Sequence, residues 1–465
     1  MSANKPLTTP QGIESLSTAV DMAAYLQGAR GETGNTPFVL RPNSTDEVAT
    51  CVRHCIANDI AYIPQSGNTG LVGASVPDSS GNVAVLSLDK VRGTFELDET
   101  NRSLKVSAGL RLSEINSRLV EYGFFFPIDV GSDPMIGGMV ATNTGGGRFV
   151  RYGDVRRHVL ELQVVLNTPE ADVLQLGSSS RKNNTGPDWK QNYIGTSGWF
   201  GVITEVTLNL EPLIQDQATA IVIPQSNAGM LDLLRHVEAR VGPMLSAFEF
   251  MSASAMRHAF THAPSLSNPF ADGVIPTNAV LIELSRTTLN APWDTPVDEV
   301  LQTVLGEVLT MSSSPIEDAL FARPEKIWAL RHTLNAGLKA AGPVIALDLG
   351  FTREQVIHFR NNMKEAMPER FPEVEVCDYG HLADGGLHFN LVKTDGNLTI
   401  EFERSVREWV VSAAVEQFGA SYSAEHGIGP KNRSFFDRYS ALEKSVLKRQ
   451  AELFGRTEVN QKSAP

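Results

Sequence analysis

Residues 64–75, Pro64-Gln-Ser-Gly67-Asn-Thr-Gly70-Leu-Val-Gly73-Ala-Ser75, separate two short apolar segments, Ile60-Ala-Tyr-Ile63 and Val83 to Leu88. The flanking segments have the length and composition of buried strands. A connection so rich in glycine, serine, asparagine and threonine presents many unhindered backbone N–H groups and short hydroxyls, which is what binding a diphosphate requires. It is not the dinucleotide fingerprint GxGxxG, because the spacing differs and no helix pattern opens from it. A second region, Gly131-Ser-Asp-Pro-Met-Ile-Gly-Gly-Met-Val-Ala-Thr-Asn143-Thr-Gly-Gly-Gly147-Arg148, repeats the chemistry. One glycine-rich loop is usually a turn. Two long ones in the first third of a chain point to a ligand.

Upstream, after Arg41-Pro42, Ser44 and Glu47 supply a capping box, and Val48, Cys51, Val52, Cys55 and Ile56 recur at i, i+3, i+4, i+7 and i+8. This spacing predicts a helix whose cysteines are small core residues. Three cysteines can form neither a disulfide framework nor an iron–sulfur ligand set. At 465 residues and 42% hydrophobic content the chain can fill at least two domains. Its net charge of −13 argues against a nucleic-acid surface, which needs clustered Lys and Arg. No segment approaches the run of about 18 apolar residues that spans a bilayer, so no integral membrane segment is expected. The opening MSANKPLTTP lacks an apolar signal core. The expected location is cytoplasmic.

Two segments near the other end carry a different chemistry: His381-Leu-Ala-Asp-Gly-Gly-Leu-His388-Phe-Asn390 and Ser423-Ala-Glu425-His426-Gly-Ile-Gly429. Asp384-Gly385 is a preferred two-residue hairpin loop. Pairing outward from it sets Ala383 opposite Gly386, Leu382 opposite Leu387 and His381 opposite His388. Opposed Cβ atoms lie about 4.5–5.5 Å apart, close enough for two imidazoles to reach one ion. Asn390 shares that face. With Glu425 the set is imidazole, imidazole and carboxylate, which leaves coordination positions open for a substrate, as catalytic metal sites do. The plainer alternative is a hairpin whose histidines satisfy backbone or water hydrogen bonds, with His426 a solvated loop residue. Glu425 and His426 can serve one pocket only if the chain bends there, and Gly427 and Gly429 permit the bend. The ligand types do not identify the ion.

The loop PQSGNTGLVGASVPD, the run GSDPMIGGMVATNTGGGRFVRYGDVR, the stretch RKNNTGPDWKQNYIGTSGWFGVITEV and the C-terminal HLADGGLHFN and SAEHGIG resemble FAD-linked oxidoreductases of the vanillyl-alcohol oxidase type. More narrowly they resemble the D-2-hydroxyacid dehydrogenase branch, which includes D-2-hydroxyglutarate and D-lactate dehydrogenases. The likeness runs in the same order from about Thr36 to about Phe454. It implies an α+β fold with an N-terminal segment, 1–35, and a two-subdomain FAD-binding domain, 36–212, split near Lys90. An antiparallel-sheet substrate (cap) domain would follow over 213–419, in keeping with the strand pattern of Ala279 to Leu284 and the helical pattern of Val297 to Leu309. A C-terminal segment, 420–465, would return to the flavin and complete the active site.

The resemblance implies noncovalent FAD, because Asn68 and Thr69 stand where relatives with covalent flavin carry a histidine. Its diphosphate is expected on the first loop: Pro64, Gln65, Ser66, Gly67, Asn68, Thr69, Gly70, Leu71, Gly73 and Ala74. The rest of the cofactor is expected along Gly131, Ser132, Asp133, Ile136, Gly137 and Gly138, then Ala141, Thr142, Asn143, Gly145, Gly146 and Gly147, together with Gly201, Val202 and Ile203. It also implies that His381, His388 and Glu425 bind a divalent metal, zinc or manganese, which the 2-hydroxyl and 1-carboxylate of a D-2-hydroxyacid substrate chelate. Asn390 would orient the substrate, Arg331 would bind its carboxylate through a planar fork, and Asn335 would line the pocket. His426 would accept the hydroxyl proton while hydride leaves C2 for flavin N5. Hydride leaves more readily from an alkoxide than from an alcohol, and a Lewis acid brings the hydroxyl within reach of a histidine base.

Departures from the branch bear on the substrate. In 2-hydroxyglutarate dehydrogenases a threonine and a lysine serve the pocket where Asn335 and Ala346 align here, and Ala346 cannot hold a distal carboxylate. Ala383-Asp384-Gly385-Gly386 replaces the usual Gly-Asp-Gly-Asn, and Phe454-Gly-Arg-Thr-Glu-Val replaces the usual tail. A second buried carboxylate without a cation is penalised by desolvation, so a smaller or more apolar D-2-hydroxyacid fits at least as well as D-2-hydroxyglutarate, unless Lys339 or an arginine from another segment supplies the cation. The resemblance implies electron transfer to an electron-transfer flavoprotein, a quinone or a cytochrome, with an oxidase using oxygen the alternative, and a homodimer would be unsurprising. Two other classes stay open on the residues. A metal-dependent hydrolase leaves both glycine-rich loops idle, and a noncatalytic flavin-fold binding protein leaves the ligand set idle.

Overall fold

Ser44 caps a helix as its spacing predicts, while Glu47 reaches one residue past the cap instead of closing the reciprocal box. The Ser44 hydroxyl accepts from the Glu47 N–H at 3.3 Å, Glu47 accepts from the Asn43 N–H at 2.8 Å, and a helix runs over Thr45–Ala57. In this computed structural model, which describes residues 7–453, the chain divides into two compact units. The first comprises Met1–Gly145, Asp154–Leu213 and His426–Pro465, and the second Gly146–Gly153 and Ile214–Glu425. The expected departure at Phe454 and the stretch after it lie outside the described residues. Among the described residues no helix is long and apolar enough to cross a membrane.

The first unit begins with β1 (Ser15–Leu16), β2 (Val39–Leu40), β3 (Ala61–Gln65) and β4 (Val83–Ser87), a sheet of order β1-β2-β4-β3. β4 is parallel to both β2 and β3, with Ile63 opposite Val85. Every residue of β4 is buried, as befits a strand covered on both faces. Helix Thr45–Ala57 covers one face, where Val48, Cys51, Val52 and Cys55 pack with Tyr62, Ala84 and Leu86. Met22, Val39, Ile63 and Val85 close the other. Burial pushes the thiols of Cys51 and Cys55 up to about 12, which leaves them inert core groups.

The chain continues through β5 (Phe95–Asp98), β6 (Ser103–Ser107), β7 (Phe124–Phe125), β8 (Val159–Leu166), β9 (Val173–Gly177), β10 (Gly201–Asn209) and β11 (Glu211–Pro212). Five of these form an antiparallel sheet, β5-β6-β10-β8-β9, whose Leu104, Val106, Leu162, Val164 and Val206 meet the helices Leu112–Leu119 and Ile136–Thr142. Each such aliphatic side chain contributes about 1.5–3 kcal/mol on burial. The C-terminal stretch belongs to this unit. A Cβ on Gly429 would lie 2.5 Å from the Val72 carbonyl of the first glycine-rich loop, and Lys431 pairs with Glu32 at 2.6 Å.

The second unit is built on β12 (Asp216–Pro224), β13 (Leu245–Ser252), β14 (Asn278–Arg286), β15 (Ile316–Ala322), β16 (Val344–Gly350), β17 (Val374–Val376), β18 (Tyr379–His381) and β19 (Gly386–Lys393). They form one eight-stranded sheet, β15-β12-β14-β13-β18-β19-β16, with β17 paired to β19. Every pairing is antiparallel. Alternation along β19 splits its side chains between the faces. Phe389 meets Phe359 of helix Arg353–Arg370 at 5.3 Å between ring centres. Val392, on the opposite face, packs in a core with helices Ala253–His262 and Pro324–Ala341. Gly386, His388 and Asn390 take that second face.

Replacing Ser44 by Ala is expected to cost about 1 kcal/mol and by Gly only a few tenths. Urea unfolding of the two variants checks this, and equal losses would remove the cap from the account.

Candidate active site

The turn between the two histidine-bearing strands differs from the expected two-residue loop. His381 pairs with Gly386 and Tyr379 with His388, so the loop is the four residues Leu382–Gly385. Its geometry explains the shift. The Asp384 and Gly385 N–H groups both return to the His381 carbonyl, the Asp384 carboxylate caps the Gly386 N–H at 2.9 Å, and Gly385 holds φ +86°. A Cβ on Gly385 would lie 1.9 Å from the Phe351 carbonyl. His381 therefore stands diagonal to His388 rather than opposite it. A displacement of two residues keeps both on one face. Gly386, opposite His381, has no side chain to fill the gap, and the imidazole leans across it until the two Nε2 atoms are 3.1 Å apart.

Glu425 reaches the same point from the loop after helix Ile400–Phe418, its Oε1 3.6 Å from His381 Nε2. Asp348 on β16 fixes that approach, since its Oδ2 accepts from the Glu425 N–H at 2.8 Å. Its Oδ1 lies 3.7 Å from His388 Nδ1. One ligand atom each from His381, His388 and Glu425 falls within 4.8 Å of the others. Asn390 is buried beside His388, whose carbonyl its amide reaches at 3.2 Å, and pairs across the strands with Ala346.

A residue outside the expected set joins this row. Glu249 on β13 is directly opposite His381 and accepts from its Nδ1 at 2.5 Å. Its other oxygen accepts from Arg331 Nε at 2.8 Å, and the guanidinium carbon stands 4.7 Å from the Tyr379 ring centre. Burial opposes the Glu249 charge, yet His381 and Arg331 outweigh it and hold the carboxyl down to about 2. Burial likewise opposes an imidazolium at His381, but Glu249 and then Glu425 push its pKa up to about 10. Burial raises Glu425, and it raises Asp384 to about 6. Carboxylates crowded in a buried place call for a cation, and the donor set fits a divalent ion.

The remaining expected residues are placed as follows. Asn335 is exposed one helical turn beyond Arg331. His426 follows Glu425 directly, and the division between the units passes between them. Gly427 adopts φ +83°, the bend expected there. A second group, His258, Glu375 and Cys377, also brings ligand atoms within 4.8 Å. It is already satisfied as an ion cluster, because Arg257 and His258 each hold one Glu375 oxygen, at 2.9 and 2.8 Å. Burial raises the Cys377 thiol to about 12.

In the first unit the two glycine-rich segments touch. A Cβ on Gly67 would lie 3.2 Å from the Met135 nitrogen, on Gly138 3.1 Å from Ser66 Cβ, and on Gly137 2.6 Å from Ala108 Cβ. Gly70 and Gly131 instead face open space. Side chains shape the first loop. Asn68, at φ +52°, donates to the Gln27 carbonyl at 2.7 Å and accepts from Ser75 at 2.8 Å, while Gln65 donates to the Tyr25 and Ser75 carbonyls. Asp133 accepts from Ser113, and Asn143 ends helix Ile136–Thr142. Val202 and Ile203 bury their side chains in the cores, and Gly201 presses on Val164 of β8. Gly146 and Gly147 lie in the strap Gly146–Gly153, which folds with the second unit through Arg148 on Glu283 at 3.0 Å. A backbone cradle with close approaches at Gly67, Gly137 and Gly138 and open space at Gly70 and Gly131 fits a bound diphosphate.

A family model for an FAD binding domain matches residues 36–176, and a model for the C-terminal domain of FAD linked oxidases matches residues 214–451. The chain is 34% identical to the mitochondrial D-2-hydroxyglutarate dehydrogenase of Rattus norvegicus, over 86% of this chain and 72% of that protein. It is 29% identical to the D-2-hydroxyglutarate dehydrogenase of Xanthomonas citri pv. viticola, over 90% of this chain and 86% of that protein. A solved structure of an alkyldihydroxyacetonephosphate synthase superposes with a TM-score of 0.70 over 95% of this chain and 82% of that one, at 16% identity, and so shares the fold. Cradle, sheet and matches together define an FAD-dependent oxidoreductase. The chain belongs to the FAD-linked oxidase family, in its D-2-hydroxyacid dehydrogenase branch. The hydrolase and noncatalytic readings fall with that membership.

Gly138→Val should push Ser66 and the first loop away and weaken FAD retention about tenfold, equivalent to about 1.4 kcal/mol. Reconstitution of the apoprotein measures it, with circular dichroism reporting the fold, and an unchanged affinity would take this contact out of the cradle.

Proposed function

We propose that this dehydrogenase oxidises a D-2-hydroxyacid to the 2-oxoacid with the help of a divalent cation, zinc or manganese, held by His381, His388 and Glu425. The observation that supports it is the placement of three ligand atoms within 4.8 Å on a sheet face crowded with carboxylates. The ion, when bound, supplies a Lewis acid that lowers the pKa of the substrate's 2-hydroxyl. FAD, when bound, supplies the acceptor for the hydride from C2. The protein's own side chains do the rest. Arg331, anchored through Nε, offers its remaining N–H groups to the substrate carboxylate. Asn390, fixed beside His388, orients the substrate. His426, bonded to Glu425 in the chain, takes the hydroxyl proton, so that one proton and one hydride leave together as the C2–O bond gains its second order.

The relatives bear the name D-2-hydroxyglutarate dehydrogenase, which makes that dicarboxylate a natural candidate. Ala346, in register with Asn390 on the ligand face, favours a smaller or more apolar acid. Reduced flavin is proposed to pass its electrons to an electron-transfer flavoprotein, a quinone or a cytochrome.

Anaerobic mixing of the metal-replete protein with D-2-hydroxyglutarate, D-lactate and longer D-2-hydroxyacids tests the reading by loss of flavin absorbance. Bleaching by monocarboxylates in preference to hydroxyglutarate is expected. Chelation should slow bleaching about 100-fold or more, with recovery on adding zinc or manganese. His388→Ala should abolish flavin reduction while FAD stays bound. Full activity in this variant or after chelation would sink the metal reading.

A further inference from the structure

Glu249 interrupts an apolar strand between Phe248 and Phe250, is 1% exposed, and divides its two oxygens between two partners. Oε1 receives His381 Nδ1 at 2.5 Å and Oε2 receives Arg331 Nε at 2.8 Å. A neutral histidine that donates from Nδ1, as a metal-bound one is, presents a lone pair at Nε2. It is Nε2 that faces His388 Nε2 at 3.1 Å and Glu425 Oε1 at 3.6 Å. The guanidinium, held at Nε and set over the Tyr379 ring, keeps its outer pair of N–H groups for a second carboxylate. We propose that Glu249 is a positioning residue that ties the ion-binding imidazole to the carboxylate-binding arginine, and so sets the spacing at which this protein grips the adjacent hydroxyl and carboxylate of a 2-hydroxyacid. This rests on the metal-assisted reading above. It adds a reason for selecting 2-hydroxyacids over simple alcohols: both gripping points move together, because one carboxylate orients both.

Glu283 on the neighbouring β14 supplies the contrast. It is as deeply buried and equally well bonded, by Arg148 Nε at 3.0 Å, Trp328 Nε1 at 2.7 Å and Ser246 Oγ at 2.7 Å. None of these partners belongs to the ligand set. Glu283 is a structural carboxylate on the same sheet and the natural control.

Glu249→Gln keeps the shape, but its amide is a weaker acceptor for His381 and turns an NH2 group toward Arg331. Zinc affinity, measured by chelator competition on the FAD-loaded protein, should fall about 10- to 100-fold, the usual effect of losing the partner of a ligating histidine. Affinity for the 2-oxoacid product, read from the flavin difference spectrum, should fall about tenfold or more, with FAD content unchanged. Glu283→Gln should lower the thermal midpoint and leave both affinities within about twofold of the parent. If folded Glu249→Gln retains either affinity, or Glu283→Gln loses both as well, the linking role is overturned. Should Glu249→Gln fail to fold, the histidine nitrogen spectrum of the zinc-loaded parent decides: Nδ1–H with Nε2 on the metal at His381, assigned with His381→Asn, supports the proposal, and an Nε2–H or a doubly protonated ring refutes it. A parent protein that binds neither zinc nor manganese and still bleaches with substrate would overturn the metal reading itself. A parent and a Glu249→Gln protein that bind zinc equally would overturn only the assignment of Glu249.

Discussion

An ionised carboxylate carried into a sheet interior costs several kcal/mol unless cations and hydrogen-bond donors meet both oxygens, and taking away one partner of such a pair costs about 3–5 kcal/mol. Glu249 imposes that condition on the second unit. Meeting it requires β18 to lie against β13 in the one register that sets His381 opposite Glu249, and requires helix Pro324–Ala341 to turn Arg331 onto the same point. The same helix spends Trp328, three residues earlier, on Glu283 of β14. Two buried acids therefore fix the helix along the sheet at two places. The face that bears the histidines is determined by electrostatics as much as by apolar packing, which alone would tolerate a slip.

The first unit solves a different problem by removing side chains. Two glycine-rich segments meet where a Cβ at Gly67 or Gly138 would press on the other segment, and a Cβ at Gly137 would collide with Ala108, so the backbones approach closely there. The polar side chains of the first loop, Gln65 and Asn68, bind the loop's own surroundings. The shape of the first loop is carried by side chains, and contact with a ligand would fall to the backbone. That division suits a diphosphate, whose charge is spread over several oxygens.

The parts of this architecture legible in the sequence are those with a period or a cap. Helix Thr45–Ala57 was visible in its Ser44 cap and apolar spacing, and helix Val297–Leu309 in its pattern. The histidine hairpin was legible as a hairpin and as a shared face, because parity survives a shift of two, while its register was not. Asp384-Gly385 suggests a two-residue turn, yet the Asp384 carboxylate caps Gly386 and extends the loop to four. Helix Ile136–Thr142 was hidden by its paired glycines, which are poor helix formers and are there for close approach. Glu249 lies outside the expected set although the sequence carries its signal, a single acid between two phenylalanines in a mostly apolar strand. Glu283 in Val280-Leu-Ile-Glu283-Leu and Asp348 in Ile345-Ala-Leu-Asp348-Leu share it. An acid that an apolar strand cannot expel must be bonded inside.

The same electrostatics bear on which acid the site accepts. Glu249, Asp348, Asp384 and Glu425 gather round the two histidines, where Arg331 answers Glu249, Arg353 acts on Asp384, and a proton on His381, or the divalent ion proposed above, would supply further positive charge. Position 346, two residues before Asp348 and in register with Asn390, is alanine. Arg407 comes near, but its Nη2 donates to the Ala346 carbonyl and its Nε to Glu403, so its charge is committed to the strand and its own helix. In the proposed reading Arg331 would match a substrate's first carboxylate. A second would enter a region already rich in buried negative charge without a partner at 346, where repulsion and desolvation act in the same direction. Under the function proposed above, the preference for a monocarboxylate would therefore be set by charge before size.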